Sequence, residues 1–569
     1  NRPTVTIMTE SHGLAPEEVE TLVTFPIEVA VNGTPGVRRI RSSSGVGLSI
    51  VWMEFDWGTD IYRNRQLVSE KLSLVQEELP KGVKPIMGPI SSIMGEIQLI
   101  GLSSSNKEIQ GIDLRTIADW TIRPRLLAIN GIAQVIPIGG GVKQFHIMLD
   151  SEKLRIKNLS IEEVQENLQH ISENTTGGFV NINKQEFLIR HLGRVESIDD
   201  IKNSIVGVFQ GQAVKVSDIA EVKVGKQVMR GDASIDGKDG VILGIKKQPG
   251  TSTLELTKKI DLALSDIEKT LPEGIIVNKD LFKQSIFIDN AVNNVKEALR
   301  DGAILVTIIL FLFLMNFRTT FITLTAIPVS FAITAIVFKY YGMEINTMTL
   351  GGLAIAIGLL VDDAIVDVEN VYRRLKENNH KASPDAILKV VYSASKEVRS
   401  SIVFATMIVV LTFIPLFFMG GLGGRFFTPL GLSFIVSLFA SMFVSLTLTP
   451  VLCSFLLPKI KNLQSEKDTK FVHWIKKLDK TIVQKVIDKP NTVIIPSLVL
   501  LIGSLLLVPG MSKEFLPKFN EGTASVSITL PPGVSLEYSS ELGHKAENII
   551  KAIKEVKHVS RRTGRAELE

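Results

Sequence analysis

The feature that most constrains this chain is a set of long stretches almost free of Asp, Glu, Lys and Arg. Only Arg318 interrupts them, and they cover residues 302–338, 345–361, 400–424, 426–458 and 490–512. A helix of about 20 apolar residues spans the hydrocarbon core of a bilayer. The chain therefore cannot be wholly soluble. Its 45% hydrophobic content and single cysteine also exclude a disordered chain and a disulfide scaffold.

The uncharged stretches predict six transmembrane spans. We expect them at 301–317, 320–341, 346–371, 401–419, 429–457 and 491–510. Arg318 follows the first span, and further Lys and Arg residues cluster in the loops after the third and fifth spans. Basic residues in the loops between spans mark the cytoplasmic side. Residues 1–300 and 512–569 are then expected on the outer side. These loops account for the net charge of +4, so that charge does not indicate a nucleic-acid partner.

The charge pattern also divides the chain into segments. The part before the first span mixes short β-branched strands with helical patterns, which is typical of α+β domains. Between the fifth and sixth spans, lysines alternate with apolar residues at helical spacing, which predicts an amphipathic helix on the inner face of the lipid bilayer. We expect a domain at 1–92, a second at 93–300, five spans at 301–458, the amphipathic segment at 459–490, a further span at 491–511, and a truncated outer domain at 512–569.

A repeated pattern links the two outer regions. The residues Val5-Thr6-Ile7, Gly13, Val37 and Gly45 have counterparts in Val526-Ser527-Ile528, Gly533, Val556 and Gly564. Each copy predicts a strand, a Gly turn, a helix and a second strand, so the outer domains are expected to contain repeated βαβ units. An outer domain needs a span before it, and the second copy is incomplete. We therefore expect a fragment that lacks one span before Asn1 and most of a second half after Glu569.

The third span carries the strongest candidate site. An apolar run ending at Val361 leads directly into Asp362 and Asp363, followed by Asp367 and Glu369. Carboxylates inside a membrane are costly and are functional-site candidates by default. At 1.5 Å per residue, Asp362 is ~16 Å from the interface marked by the following arginines, close to the midplane. Asp367 and Glu369 are within ~9 Å of that interface and are expected to reach water or headgroups.

Two adjacent carboxylates in a low dielectric cannot both stay ionised at low cost, which suits groups that load and release protons. The six spans offer no cation at this depth, so any ionic partner is expected beyond Glu569. Two alternatives remain: exposed aspartates at a helix that finishes at Val361, and a plain i+4 salt bridge between Glu369 and Arg373. The small residues expected to let another helix approach here are Gly351, Gly352 and Gly358.

The run Gly358–Val366, with Glu369-Asn370 after it, is similar to the fourth-span proton-relay motif of the resistance-nodulation-division (RND) superfamily of inner-membrane pumps. Other segments resemble the heavy-metal efflux (CzcA/CusA-like) branch, and the resemblance covers essentially the whole chain. These segments are Phe25-Pro26-Ile27-Glu28, Gly88-Pro89-Ile90-Ser91, Gly95-Glu96-Ile97 and Arg562-Thr563-Gly564-Arg565-Ala566-Glu567.

The resemblance implies an α-helical polytopic membrane protein, with six of twelve spans present and periplasmic porter domains on the outer side. A docking region would be inserted in 93–300. It further implies a homotrimer in the bacterial inner membrane that works with a periplasmic adaptor protein and an outer-membrane channel. The proton relay would consist of Asp362, Asp363 and Glu369. No cofactor is implied beyond the transported metal cation and protons, so the expected function is proton-driven export of heavy-metal cations.

Two positions leave the metal open. Zinc, cobalt and cadmium members carry an Asp where this chain has Ala356, and copper and silver members carry a Met where it has Ser527. Thioether ligands select Cu(I), so Ser527 favours divalent cations. The metal-binding residues are unknown, since Met87 and Met94 are more typical of core packing than of a site.

The functions that stay open beside metal export are multidrug export within the same superfamily and a proton-driven accessory role in protein translocation. No Walker A motif occurs in the sequence, which argues against ATP as the energy source. No H-E-x-x-H or G-x-S-x-G motif occurs either, so a membrane hydrolase is unsupported and we expect a transporter that is not an enzyme.

Overall fold

The computed structural model describes residues 2–90, 95–173, 175–191, 193–314, 317–377, 384–459, 470–488, 490–511, 522–531 and 533–566. The chain forms two compact units. The first comprises Asn1–Ser285 with Gly522–Glu569, and the second comprises Ile286–Glu521.

The first unit begins with a four-stranded antiparallel sheet covered by helices. Its elements are β1 (Thr4–Glu10), α1 (Pro16–Val19), α2 (Phe25–Val31), β2 (Val37–Gly45), β3 (Leu48–Phe55), α3 (Ile61–Val75) and β4 (Pro85–Met87). A short π-helical turn joins α1 to α2. The strand order β2-β3-β1-β4 is that of a ferredoxin-like split βαβ fold. Alternate residues of β1, Val5 and Ile7, are fully buried against the helices, as the period of two requires.

A second sheet follows with the same strand order. The elements in this part are β5 (Glu96–Ser104), α4 (Gly111–Ile117), α5 (Arg123–Leu127), β6 (Ile132–Ile138), β7 (Lys143–Leu149), α6 (Ser151–Ile156), α7 (Ile161–His170), β8 (Thr175–Ile182), β9 (Gln185–His191), α8 (Ile198–Asn203), β10 (Ile205–Phe209), β11 (Gln212–Lys215), α9 (Val216–Ile219), β12 (Ala220–Lys226), β13 (Gly231–Ile235), β14 (Lys238–Asp239), β15 (Val241–Lys247), α10 (Thr253–Glu268) and β16 (Ile275–Lys283). The sheet order is β16-β5-β15-β6, with all pairs antiparallel. The segment β7–β14 is inserted between the second and third strands of this sheet.

The second unit is helical. Its helices are α11 (Gln284–Leu314), α12 (Phe317–Tyr340), α13 (Thr347–Glu377), α14 (Pro384–Phe413), α15 (Gly421–Leu456), α16 (Lys470–Asp488) and α17 (Asn491–Leu507). In the described part of the chain, five helical segments are long and apolar enough to cross a membrane: Phe317–Tyr340, Thr347–Glu377, Asp385–Phe418, Gly423–Lys459 and Asn491–Gly510. These segments overlap the second to sixth predicted spans.

The first predicted span, 301–317, is not among these five segments. The helix that contains most of it begins at Gln284, and its middle carries Glu297, Arg300 and Asp301. The longest stretch of the described helix without Asp, Glu, Lys or Arg is 302–314, which is shorter than a bilayer core requires. Residues 315 and 316 lie outside the described residues. Six spans therefore remain a prediction.

The end of the chain packs on the first unit through α18 (Leu536–Lys551) and β17 (Ser560–Gly564). Strand β17 pairs antiparallel with β13. Glu547 of α18 is 3% exposed. It accepts hydrogen bonds from the Ser234 hydroxyl at 2.8 Å and from Arg561 Nε at 3.1 Å. This buried polar cluster fixes α18 against strands far away in the sequence.

The predicted repeat between residues 4–45 and 526–564 is reproduced only in part. Gly13 and Gly533 both have φ of 89° and both precede a helix. However, residues 522–531, all of which are described, form no strand, and the final strand pairs with β13. The structure instead shows one topology twice, in 4–87 and in 96–283. The second copy was hidden in the sequence because the long insertion separates its two halves.

Candidate functional site

The candidate site lies on one uninterrupted helix. Helix α13 runs from Thr347 to Glu377 and includes the three predicted relay carboxylates, Asp362, Asp363 and Glu369, together with Asp367. The alternative in which the helix ends at Val361 and leaves exposed aspartates at its terminus is therefore wrong. Asp362 and Glu369 are exposed, and Asp363 is half-buried.

Hydroxyl groups, not cations, contact α13 at the paired aspartates. The Ser445 hydroxyl of α15 donates to the Asp363 carbonyl oxygen at 3.0 Å, and the Ser441 hydroxyl donates to the Leu360 carbonyl oxygen at 2.9 Å. The Thr406 hydroxyl of α14 lies close to the Asp363 side chain. Within the described residues, no Lys or Arg forms an ion pair with Asp362 or Asp363.

These serines belong to a stripe that the sequence analysis missed. Ser433, Ser437, Ser441 and Ser445 recur every fourth residue of α15 and are all 0–1% exposed. Residues spaced by four share one face of a helix, so the stripe is visible in the sequence. Small hydroxyl residues allow close helix packing in a membrane and supply hydrogen bonds across the interface. The stripe places α15 directly against the backbone of α13 at the candidate site.

The three glycines predicted to support helix packing behave differently. A Cβ added at Gly352 would overlap the Ser433 hydroxyl and the Leu430 carbonyl oxygen, so α13 and α15 approach too closely there for any side chain. A Cβ at Gly351 or Gly358 would meet no described atom within 4 Å. The packing role is therefore seen at Gly352 and is not seen at Gly351 and Gly358 in this chain.

Asp367 does not lie where its depth alone suggested. The expectation that it reaches water is wrong, because α14 and α15 cover it and leave it 2% exposed. The neighbouring Asn370 is also buried and donates to the Ala394 carbonyl oxygen of α14 at 2.8 Å. Arg373 donates to Asn370 Oδ1 at 2.9 Å. It forms no ion pair with Glu369, so the i+4 salt bridge considered for Glu369 is not observed.

Three of the four positions considered for the transported metal, Ala356, Ser527 and Met87, lie within the described residues. Ala356 is fully buried in an apolar cluster with Leu360 and Phe434, while Ser527 is exposed. Met87 packs against the core of the first sheet, and Met94 lies outside the described residues. Among the residues that the structure describes, no group of three or more His, Cys, Asp or Glu side chains is arranged to hold a metal ion.

A cavity of about 700 Å³ in the first unit is lined by Ser43, Leu48, Arg230, Ser539, Thr563 and Arg565, among other residues. Burial, together with the nearby Arg230 guanidinium, lowers the pKa of Arg565 below its usual value. Two arginines in one cavity repel a cation, so this cavity does not suit metal binding.

Comparison with known proteins agrees with the resemblance noted from the motifs. The model of the AcrB/AcrD/AcrF family matches residues 1–569. The cobalt-zinc-cadmium resistance protein CzcA of Cupriavidus metallidurans is 33% identical over 99% of this chain and 54% of its own length. Protein HelA of Legionella pneumophila is 34% identical, again over 99% of this chain and 54% of its own length. The crystal structure of a heavy metal efflux pump matches with a TM-score of 0.83 at 27% identity, covering 100% of this chain and 54% of that one.

Helices that are long and apolar enough to cross a membrane, with polar residues buried between them, define the class of membrane proteins. The chain belongs to the AcrB/AcrD/AcrF family and, within the RND superfamily, to its heavy-metal efflux branch. It spans about half the length of the curated relatives that it matches.

Proposed function

We propose that this chain forms part of a proton-driven antiporter that exports heavy-metal cations. The observation that carries the proposal is the continuous helix α13, which holds Asp362 and Asp363 inside an apolar segment long enough to cross a membrane. The proposal is further supported by the membership of the chain in the heavy-metal efflux branch. One proton crossing 100 mV releases ~2.3 kcal/mol from the electrical term alone, which is enough to drive export uphill.

Asp362 and Asp363 are the proposed proton-loading groups, with Glu369 as a third member. Adjacent residues on a helix point about 100° apart, so the two aspartates face different neighbours. Asp363 faces the Thr406 hydroxyl, whereas Asp362 is exposed in this chain. This difference in surroundings fits a pair in which one carboxyl keeps the same neighbour, whereas the neighbour of the other carboxyl changes during transport.

The proposed setting is the bacterial inner membrane, with residues 1–300 and 512–569 in the periplasm. The protein would act as a homotrimer with a periplasmic adaptor protein and an outer-membrane channel. The partners follow from the family, whereas the proposed orientation follows from the basic segments 373–399 and 459–489. The domain limits proposed from the sequence are 1–92, 93–300, 301–458, 459–490, 491–511 and 512–569.

Divalent cations are the proposed substrates, in preference to Cu(I) and Ag(I). Ser527 supplies no thioether at the position where copper and silver members carry Met, and soft metals require such ligands. The cobalt-zinc-cadmium resistance protein is among the relatives. Ala356, which replaces an Asp of the zinc-type members, leaves the particular divalent ion open.

Expression of the full-length protein in a metal-sensitive host tests both the function and the metal. We expect protection against zinc, cobalt or cadmium salts and none against silver, measured as the metal concentration that halves growth. An Asp362→Asn variant serves as the control for transport-dependent protection. Protection against silver alone would show that the interpretation of Ser527 is wrong, and protection against none of these metals would count against metal export.

A further inference from the structure

Asp367 is the most deeply buried carboxylate of α13, and the proposed relay does not use it. It is 2% exposed, and neither carboxylate oxygen has a hydrogen-bond partner among the residues that the structure describes. An unpaired buried charge costs several kcal/mol, whereas the neutral acid costs far less. This chain alone covers the side chain, so its surroundings are complete without any further subunit.

The groups that face Asp367 come from two neighbouring helices. Ser395 and Arg399 of α14 are its polar neighbours, and Cys453 of α15 packs beside it. The Ser395 hydroxyl is itself buried without a hydrogen-bond partner. Arg399 is exposed and forms no ion pair with Asp367. The Asp367 carboxyl and the Ser395 hydroxyl are thus two buried polar groups without a hydrogen-bond partner among the described residues, in an otherwise apolar interface.

Asp367 lies midway along a polar seam between α13 and α14. On α13 the seam consists of Asp363, Asp367, Asn370 and Arg374, spaced by three or four residues and therefore on one face. Thr406 contacts its first member. At the far end Asn370 Nδ2 donates to Glu397 Oε2 at 3.1 Å, and Arg374 Nη2 donates to Glu397 Oε1 at 2.8 Å. The seam thus runs from the paired aspartates to the end of α13 where Glu397 and Arg374 are partly exposed.

We propose that this seam is a proton path and that Asp367 is its intermediate carrier. The proposal rests on the proposed function, since it concerns how the relay exchanges protons with one side of the membrane. Asp367, which rests as the neutral acid, first releases its proton to water beside Glu397 and Arg374. The resulting Asp367 carboxylate then takes the proton of the Asp363 acid, which becomes ionised. Four residues of helix separate the two aspartates by ~6 Å along the axis, a gap that one water molecule bridges.

If Asp367 only stabilised the structure, its substitution would have a different effect on the pH dependence of transport. Apolar residues of similar volume often replace buried charged groups with little loss of stability, so a structural role would tolerate loss of the proton as long as the shape is kept. A carrier requires a group that titrates. The pH dependence of transport therefore separates the two roles, whereas the amount of folded protein does not.

The test uses the full-length protein reconstituted in lipid vesicles, with Zn²⁺ as the probe and an imposed pH gradient. Asp367→Asn keeps the shape and removes the titrating group. We expect it to slow Zn²⁺ flux at least about tenfold and to remove the dependence of flux on pH at the Arg374 side. Asp367→Glu should recover most of the flux, and Asp385→Asn, an exposed carboxylate at the start of α14, should behave as wild type.

The outcomes are distinguishable. No proton-coupled flux of Zn²⁺, Co²⁺ or Cd²⁺ in the wild type would overturn the proposed function and with it this inference. Wild-type flux and pH profile in Asp367→Asn would overturn the inference alone. If Asp367→Asn does not assemble, Ser395→Ala removes the facing hydroxyl and leaves the carboxyl in place. We then expect the pH of half-maximal flux to shift, and an unchanged pH profile would contradict the proton path.

Discussion

At the scale of single residues, the four carboxylates of α13 differ because of what covers them and not because of their depth. Asp362 and Glu369 are exposed in this chain, Asp363 is half-buried against a threonine, and Asp367 is sealed by two helices. Their order along the membrane axis follows from the sequence. Their environments depend on α14 and α15, which contribute side chains from about 30 to 90 residues further along the chain.

Asp362→Asn is expected to abolish metal transport in the full-length protein while leaving expression and trimer assembly near normal. The substitution keeps the size of the side chain and removes the group that would carry the proton. Zn²⁺ flux across an imposed pH gradient, with protein amount determined in the same vesicles, measures the effect. The proton-relay role of Asp362 would be wrong if this variant exported Zn²⁺ at the wild-type rate.

At the scale of elements, the contact between α13 and α15 decides how the candidate site is held. The serine stripe donates hydrogen bonds to the Leu360 and Asp363 carbonyl oxygens, and Gly352 permits the close approach that these bonds need. Helices in lipid gain little from hydrophobic burial against each other, so packing and such hydrogen bonds must hold them together.

Gly352→Ala is expected to destabilise the protein by about 1–3 kcal/mol, because its methyl group overlaps Ser433 and the α15 backbone. Gly358→Ala is the matched control. It lies on the same helix with open space around it, and Ala is favoured over Gly in a helix by up to about 1 kcal/mol. Thermal unfolding of the detergent-solubilised full-length protein measures both. Equal unfolding midpoints for the two variants would show that the close approach at Gly352 does not matter.

At the scale of the whole molecule, the distribution of basic residues predicts which parts lie on each side of the membrane. The segments after the third and fifth predicted spans are rich in Lys and Arg, while the opposite loops are not. Such an asymmetry sets the orientation of membrane proteins. Residues 459–490 should then lie on the cytoplasmic face, where their lysines meet anionic lipid headgroups.

Cysteine labelling of the full-length protein tests this orientation. With native cysteines replaced, we expect a membrane-impermeant reagent to modify a cysteine at Ser104 in intact cells and to spare one at Lys389. Lys389 is exposed on α14, so failure to label it would not reflect burial in this chain. A cysteine at Lys381, which lies outside the described residues, gives a second cytoplasmic position. Labelling at Lys389 or Lys381 without labelling at Ser104 would reverse the proposed topology.

Five of the six predicted apolar segments, and the helix that carries the candidate site, could be predicted from the sequence alone. Each of these depends on hydropathy, charge or spacing within one contiguous stretch, and such properties survive without knowledge of the fold. The motif around Asp362 and Asp363 also identified the family for the same reason. The sequence could not count the spans securely, because the first apolar run is flanked by charges within the same helix.

Which polar groups are buried together could not be predicted from the sequence. The pairing of β17 with β13, the insertion that divides the second split βαβ sheet, the close approach at Gly352 and the burial of Asp367 all join residues distant in the chain. The physical reason is that burial and hydrogen bonding are set by neighbours in space. From its depth alone, Asp367 is expected to be hydrated. The structure shows that α14 and α15 cover it.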